Sequence, residues 1–232
     1  MSNLKASCLR LIRNKWFCLF WLLFGLAYVT VYGMLYVEDP FTAGVEPVKI
    51  LGILIDPAMR ATASIIGKTY FWGFKGWGLF QWISLALNIL YAYRRYGFTG
   101  KPARAGRVCL LLAACCITVC VMIRSKEGFG LQQFFHWSGA LLFAFFDALA
   151  LGLLLVHAAK QSGRAKATLA VFIAMLAAML GLLVLVGKSG AIESIPMWGA
   201  YLILFLLGYT SLYRKCLPAS PAPERETAAA TI

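Results

Sequence analysis

The stretch that decides the fold runs from His136 to His157 and reads HWSGALLFAFFDALALGLLLVH. A run of about twenty apolar residues is long enough to cross the hydrocarbon core of a bilayer as a helix. The stretch contains one carboxylate, Asp147, near its middle. A carboxylate at that depth costs about 2.5–3.5 kcal/mol on insertion scales, so we expect Asp147 to face other helices or a wet cavity rather than lipid.

His136 and Asp147 share one face of this predicted helix. At 3.6 residues per turn they lie within about 20° of each other and about 16 Å apart along the axis. Ala140 and Phe143 complete the same face. One interpretation is a polar track that enters the helix bundle from one membrane surface. The other is that Asp147 only ties helices together, as polar side chains in membranes often do, while His136 caps the surface.

The whole chain has the composition of a membrane protein. Of its 232 residues, 61% are hydrophobic and 13% are charged, whereas soluble domains carry about 25% charged residues. We therefore predict an all-α polytopic membrane protein with six transmembrane helices. The predicted spans cover roughly residues 16–37, 78–94, 108–123, 137–157, 168–187 and 195–213.

The net charge of +13 is distributed in alternation with these spans. Basic residues cluster in the N-terminal tail, in the second and fourth connections and after the last span. By the positive-inside rule, both termini lie in the cytoplasm. We predict a cytoplasmic basic tail at 1–15, a transmembrane domain at 16–213 and a disordered cytoplasmic tail at 214–232. The expected partners of the basic face are anionic lipid headgroups rather than nucleic acid.

Residues 38–77 form the longest connection, and we predict that they make an outer-leaflet cap. The segment 48–68, VKILGILIDPAMRATASIIGK, is too short and too interrupted by Asp56-Pro57 to cross a bilayer. It is predicted to form one or two helices that lie on or dip into the outer leaflet. The aromatic residues at 70–77 then form an interfacial belt. Such a cap either covers a ligand site as a lid or plugs the end of the bundle.

The second span carries a polar stripe of Gln81, Ser84 and Asn88 at helical spacing. Polar faces that must avoid lipid tend to meet inside a bundle. We therefore expect Asn88 to be a partner of Asp147. Together with His136 and Asp147, Gln81 and Asn88 are the candidate ligand-binding residues.

No metal or cofactor site is predicted. Three of the seven cysteines, Cys109, Cys116 and Cys120, lie near one face of the third span. They form no Cys-x-x-Cys pair, and no nearby His completes a metal site. The chain also lacks a P-loop, a His-Glu-x-x-His pair and a Gly-x-Ser-x-Gly elbow.

The outer ends of three spans carry the candidate catalytic residues Arg124, His136 and Glu193. A cation, a base and an acid at a membrane surface could act on a lipid headgroup. The alternative is that all three are ordinary interfacial residues.

Two short motifs carry a family resemblance. They are His136-Trp-Ser-Gly-Ala-Leu-Leu-Phe at the start of the fourth span and Ala191-Ile-Glu193 before the last. Over about residues 108–213 the chain resembles the Frag1/DRAM/Sfk1 group of six-span membrane proteins and its bacterial relatives. The resemblance implies that His136 and Glu193 are the family-like positions. It also implies lipid remodelling, or the organisation of lipids and partner proteins.

The sequence thus favours a multi-pass protein of the cell (plasma) membrane that binds or organises lipid or a hydrophobic ligand at its outer face. One alternative is a proton- or cation-coupled transporter that uses Asp147. Another is a lipid-modifying enzyme that uses His136 and Glu193. A membrane-protein partner or a second copy of the chain is compatible with each of them.

Overall fold

The computed structural model describes residues 11–44, 46–123, 130–213 and 216, and this part of the chain is mostly helical. It contains six long helices and one short one. They are α1 (Lys15–Gly33), α2 (Ala63–Thr69), α3 (Phe71–Arg95), α4 (Gly100–Met122), α5 (Leu131–Ala159), α6 (Gly163–Leu185) and α7 (Gly190–Tyr209). The connection between α1 and α2 holds a short 3-10 helix at Pro40–Thr42 and two strands, β1 (Val48–Ile50) and β2 (Ile53–Ile55).

Five helices, α1, α4, α5, α6 and α7, are long and apolar enough to cross a membrane. The prediction of an all-α chain with membrane-spanning helices is thereby confirmed at this level. The remaining long helix, α3, has 25 residues but carries the polar stripe and two arginines at its end.

The long helices pack side by side as an antiparallel bundle. Cys18 near the start of α1 contacts Asn88 near the end of α3, whereas Tyr28 near the end of α1 contacts Gly73 at the start of α3. The connections between the later helices are short, which favours antiparallel neighbours. We call the end that carries residues 34–70 the cap end, and the opposite end, with Lys15 and Arg95, the basic end.

Large apolar side chains remain on the outside of the bundle. Helix α6 is the clearest case, because only Ala165 and Phe172 are buried while Val184 and Leu185 are more than 80% exposed. Soluble monomers rarely expose contiguous apolar surface on this scale. The outer surface of the bundle is therefore suited to lipid.

The prediction of one or two helices over residues 48–68 is wrong for the first half of this segment, because residues 48–55 form an antiparallel β-hairpin. Val48 pairs with Ile55, and Ile50 pairs with Ile53. The two turn residues, Leu51 and Gly52, both have positive φ values of 50° and 83°, as two-residue hairpin turns of the favoured type require. β-branched residues on both sides favour strands. The second half of the segment does contain a helix, α2.

The aromatic residues from Phe71 to Trp77, predicted as part of the cap, form the first turns of α3, so the cap ends at Tyr70. The glycines among them do not break the helix but allow α1 to come close. A Cβ on Gly73 would come within 2.9 Å of the Tyr32 ring, and one on Gly76 within 2.5 Å of Tyr28 Oη. Small residues at helix crossings serve this purpose in membranes.

The cap is fastened to the start of α7. The Asp56 carboxylate accepts hydrogen bonds from the backbone N–H groups of Ala58 and Arg60, both at 3.0 Å. The turn that it holds presents Met59 O to the N–H of Ala191 at 2.9 Å. A Cβ on Gly190 would come within 2.3 Å of Ala61 O, so only glycine permits this contact.

We predict that Gly190→Ala destabilises the protein by about 1–3 kcal/mol, the usual cost of overpacking, because the cap backbone must move away from α7. Gly181→Ala is the matched control, since a Cβ there meets nothing within 4 Å. The control should be neutral or should gain up to about 1 kcal/mol from better helix propensity. Thermal unfolding in mild detergent measures both. Equal unfolding temperatures for the two variants would contradict the docking of the cap.

Candidate functional site

Asp147 lies on the buried face of α5 and is 7% exposed. Within the described residues, neither of its carboxyl oxygens has a hydrogen-bond partner. Asp147 thus faces the interior of the bundle rather than its outer surface.

The face that His136 and Asp147 share is buried, but its composition differs from the prediction. Phe143 belongs to it, whereas Ala140 is exposed and Gly139 takes its place. Gly139 lies against the backbone of α4, where a Cβ would come within 2.8 Å of Cys116 O. The close approach of α4 therefore decides which of the two small residues is buried.

A small cluster of polar side chains, Ser84, Gln81 and Tyr201, lies where α1, α3 and α7 meet. Ser84 Oγ donates to Gln81 O at 2.9 Å, so the hydroxyl of Tyr201 is the donor in its hydrogen bond with Ser84 Oγ. Gly25 makes room for this pair, since a Cβ there would come within 2.3 Å of Ser84 Oγ. Gln81 is also buried, and its Oε1 accepts no hydrogen bond in the described part of the chain.

The predicted contact between Asn88 and Asp147 is wrong, because Asn88 is engaged elsewhere. Its Nδ2 donates to Cys18 O at 3.0 Å and to Ser84 O at 2.8 Å. Its Oδ1 accepts from Tyr209 Oη at 2.5 Å. Both Cys18 and Tyr209 lie toward the basic end, so Asn88 joins α1, α3 and α7 there.

His136 caps the end of α4. It is 1% exposed, and its Nδ1 lies 2.9 Å from both Cys120 O and Ile123 O. Because both partners are acceptors, Nδ1 must carry the proton. The last carbonyls of a helix have no partner within it, and His136 supplies one from α5. The Phe74 ring, 5.9 Å away between centroids, packs against the imidazole. This geometry fits the capping interpretation of His136.

Glu193 lies in the first turn of α7, where a negative charge is favoured by the helix dipole. Its Oε1 lies 3.5 Å from Lys188 Nζ, and the Lys188 ammonium lies 5.6 Å from the centre of the Trp137 ring. Lys188 is thus a partner of Glu193 that the sequence did not identify. The third catalytic candidate, Arg124, lies outside the described residues.

An apolar groove of about 640 Å³ lies at the cap end between α1 and the start of α3. One wall comes from α1 and the residues after it, and the other from residues 69–73. The α1 side is formed by Phe24, Ala27, Tyr28, Val31, Tyr32 and Leu35. The hydroxyl of Tyr28 donates to Gly73 O at 3.3 Å, and that of Tyr32 lies 3.4 Å from both Ala63 O and Tyr70 O. Because backbone carbonyls already engage these hydroxyls, the surface left for an occupant is apolar.

The groove was not predicted, although part of it is visible in the sequence. The aromatic run from Tyr70 to Trp72 marks one wall. The opposite wall depends on the pairing of α1 with α3, which the sequence does not specify. In the described part of the chain, no group of three or more His, Cys, Asp or Glu side chains could hold a metal ion.

Comparison with known proteins gives no match. No protein-family model matches the chain, and neither does any curated protein or solved structure. The resemblance to the Frag1/DRAM/Sfk1 group stays a prediction that depends on the two motifs.

We predict that His136→Ala destabilises the protein by about 1–3 kcal/mol, because buried acceptors lose their donor. His136→Asn should recover part of this loss, since its amide nitrogen can replace Nδ1. His157→Ala is the control on the same helix, where the half-buried imidazole lies 3.3 Å from Gln161 Nε2 and packs on the Phe98 ring but caps no helix. Thermal unfolding in detergent measures the stability of each variant. The unfolding temperature should be highest for His157→Ala, lower for His136→Asn and lowest for His136→Ala. An undisturbed His136→Ala would rule out the cap.

Proposed function

We propose that the chain is an integral protein of the plasma membrane with six spans. Five are the apolar helices named above, and α3 is the additional one. Its 25 residues give a helix of about 37 Å, longer than the roughly 30 Å hydrocarbon core. Gln81, Ser84 and Asn88 are all buried, so the polar stripe is shielded from lipid. Lys75 lies at the cap end, 4.2 Å above the Trp72 ring, a position suited to the membrane interface.

The charge distribution supports an orientation with both termini in the cytoplasm. The basic end carries Lys15, Arg94, Arg95, Lys101 and Arg104 without a neighbouring carboxylate in the sequence. The cap end carries Glu38, Asp39, Glu46, Asp56 and Glu193 beside Lys49, Arg60, Lys68, Lys75 and Lys188, so that its charges nearly cancel. The positive-inside rule then assigns the basic end to the cytoplasm, where it attracts anionic lipid headgroups.

The function that the geometry supports best is the binding or organisation of a lipid or another hydrophobic ligand at the outer face. The observation that carries this proposal is the groove between α1 and residues 69–73. Its volume of about 640 Å³ falls in the range of small-molecule sites. Its walls are aliphatic and aromatic, which suits an acyl chain, and the exposed Trp72 at its rim suits the headgroup region.

We expect purified protein in mild detergent to retain a stoichiometric lipid or hydrophobic ligand, and Ala27→Trp to lose it because the indole fills the groove. Ala27 is exposed in the groove, so the substitution leaves the bundle core intact. The matched control is Ala174→Trp, at an exposed position of α6. Native mass spectrometry measures the retained mass. Equal retention in both variants would contradict the groove as the binding site.

A specific observation also favours transport coupled to a proton or cation as a second function. It is the buried carboxyl group of Asp147, for which the described residues offer no hydrogen bond. A buried polar group without a partner costs about 1–3 kcal/mol. Such a cost is commonly kept at functional sites, and ionisable residues at bilayer depth mark proton and ion pathways.

We predict that Asp147→Asn abolishes proton-coupled flux in liposomes while leaving the unfolding temperature unchanged or raised. Among the described residues no hydrogen bond to the carboxyl group is lost, and an ionisable group leaves the interior. Asn88→Ala is the structural comparison and should lower stability by about 1–3 kcal/mol, because it removes the hydrogen bonds of a buried amide. If Asp147→Asn destabilised the protein as strongly as Asn88→Ala, Asp147 would be a tie between helices instead.

The enzyme alternative stays a prediction. His136 Nδ1 is engaged by two carbonyls, and Glu193 is paired with Lys188. Both contacts account for these residues as parts of the cap end of the bundle.

A further inference from the structure

We propose that the β-hairpin Val48–Ile55 inserts its tip into the outer leaflet and forms the membrane-embedded lip of the groove. This inference rests on the proposed function of the groove and adds the route by which a lipid reaches it. The hairpin therefore acts on lipid at the bilayer surface rather than as a lid in water.

The hairpin exposes more apolar surface than a segment in water would. Leu51 at its tip is 97% exposed. Four further aliphatic side chains on its strands are each 44–50% exposed, namely Val48, Ile50, Ile53 and Leu54. Exposed apolar patches of this kind mark contact with membranes or other proteins.

The distribution over both faces favours lipid over a protein partner. In the observed register, Val48, Ile50, Ile53 and Ile55 share one face, while Lys49 and Leu54 lie opposite each other on the other face. Leu51 extends from the tip between them. A docked protein would cover one face and leave the other in water, whereas acyl chains surround both. Lys49 can keep its ammonium at the headgroups while its stem stays in the apolar layer.

The base of the hairpin lies at the rim of the groove. Leu35 pairs with Ile55 and also lines the groove. Tyr36 N–H donates to Leu54 O at 3.0 Å, and Asp56 N–H donates to Met34 O at 2.8 Å. These bonds join the hairpin to the chain that leaves α1, so its base is fixed while its tip stays free.

The opposite rim of the groove carries Tyr70 and Trp72, which are 43% and 78% exposed. Aromatic rings of this kind settle at the boundary between headgroups and acyl chains. Two apolar projections, the hairpin and this aromatic pair, thus flank one groove at the same end of the bundle. A lipid tail that passes between them stays in an apolar environment from the leaflet to the groove.

The test places an environment-sensitive fluorescent amino acid by genetic encoding at position 51 of the full chain. The matched control position is Ala43, an exposed residue of the same cap outside the hairpin. A second reporter at Ile50 guards against a local disturbance at the turn. The proteins are placed in nanodiscs of phosphatidylcholine and phosphatidylglycerol, where both membrane surfaces are accessible. Quenching is measured with iodide in the water and with phosphatidylcholine that carries a nitroxide on its acyl chain.

We expect the reporters at 51 and 50 to be quenched by the nitroxide lipid and to lose iodide quenching, while the reporter at 43 shows the reverse. Iodide quenching at 51 as strong as at 43 would overturn the proposal. Protection of position 51 from both quenchers would overturn it too, because a protein or a second copy would then cover the hairpin. If a lipid still co-purifies with the protein in either case, the groove remains a binding site and only the role of the hairpin fails.

Discussion

Hydrogen bonds from buried and half-buried side chains to backbone carbonyls of neighbouring helices hold this bundle together. Tyr93 donates to Ala150 O at 2.6 Å, Tyr96 to Leu207 O at 2.7 Å and Trp82 to Leu110 O at 3.0 Å. Where no water is available, each polar group must find its partner within the protein. A helix carbonyl can accept a second hydrogen bond without losing its own, so these contacts add ties without opening a helix.

Against this pattern, three residues of the described chain carry a buried polar atom without a hydrogen bond: Arg95 at the basic end, through its Nε, and Asp147 and Gln81 in the interior. His136 and Asn88 follow the rule, since each donates to two carbonyls. The carboxyl group of Asp147 and Oε1 of Gln81 do not, within the residues described. The rule that buried polar groups are paired explains most of these residues as structural. The Asp147 carboxyl group and Gln81 Oε1 are exceptions to it, and they are therefore the interior groups suited to ligand or proton chemistry.

Apolar runs made the helices predictable, because a helix in a membrane must satisfy its own backbone. The buried positions of Asp147, His136, Gln81 and Asn88 also followed from periodicity. Periodicity shows which face of a helix is polar but not which neighbour meets it. The pairing of Asn88 with Asp147 therefore failed, and Gly139 rather than Ala140 proved to be buried. The hairpin was missed because a short apolar run has no period that separates strand from helix. Nor does a leucine at position 51 indicate a turn, because residues with positive φ are usually Gly, Asn or Asp.

The contact between Met59 and Ala191 has a mechanical consequence. It joins the cap to the same helix that carries Tyr201, so a tilt of α7 would pull on the turn at Asp56 and on strand β2, which pairs with Leu35. Helix α6 has only two buried residues and could tilt with little effect on its neighbours. A shift of α7 would therefore be passed to the cap through the bond between Ala191 and Met59, and to the groove mouth through the pairing of Ile55 with Leu35.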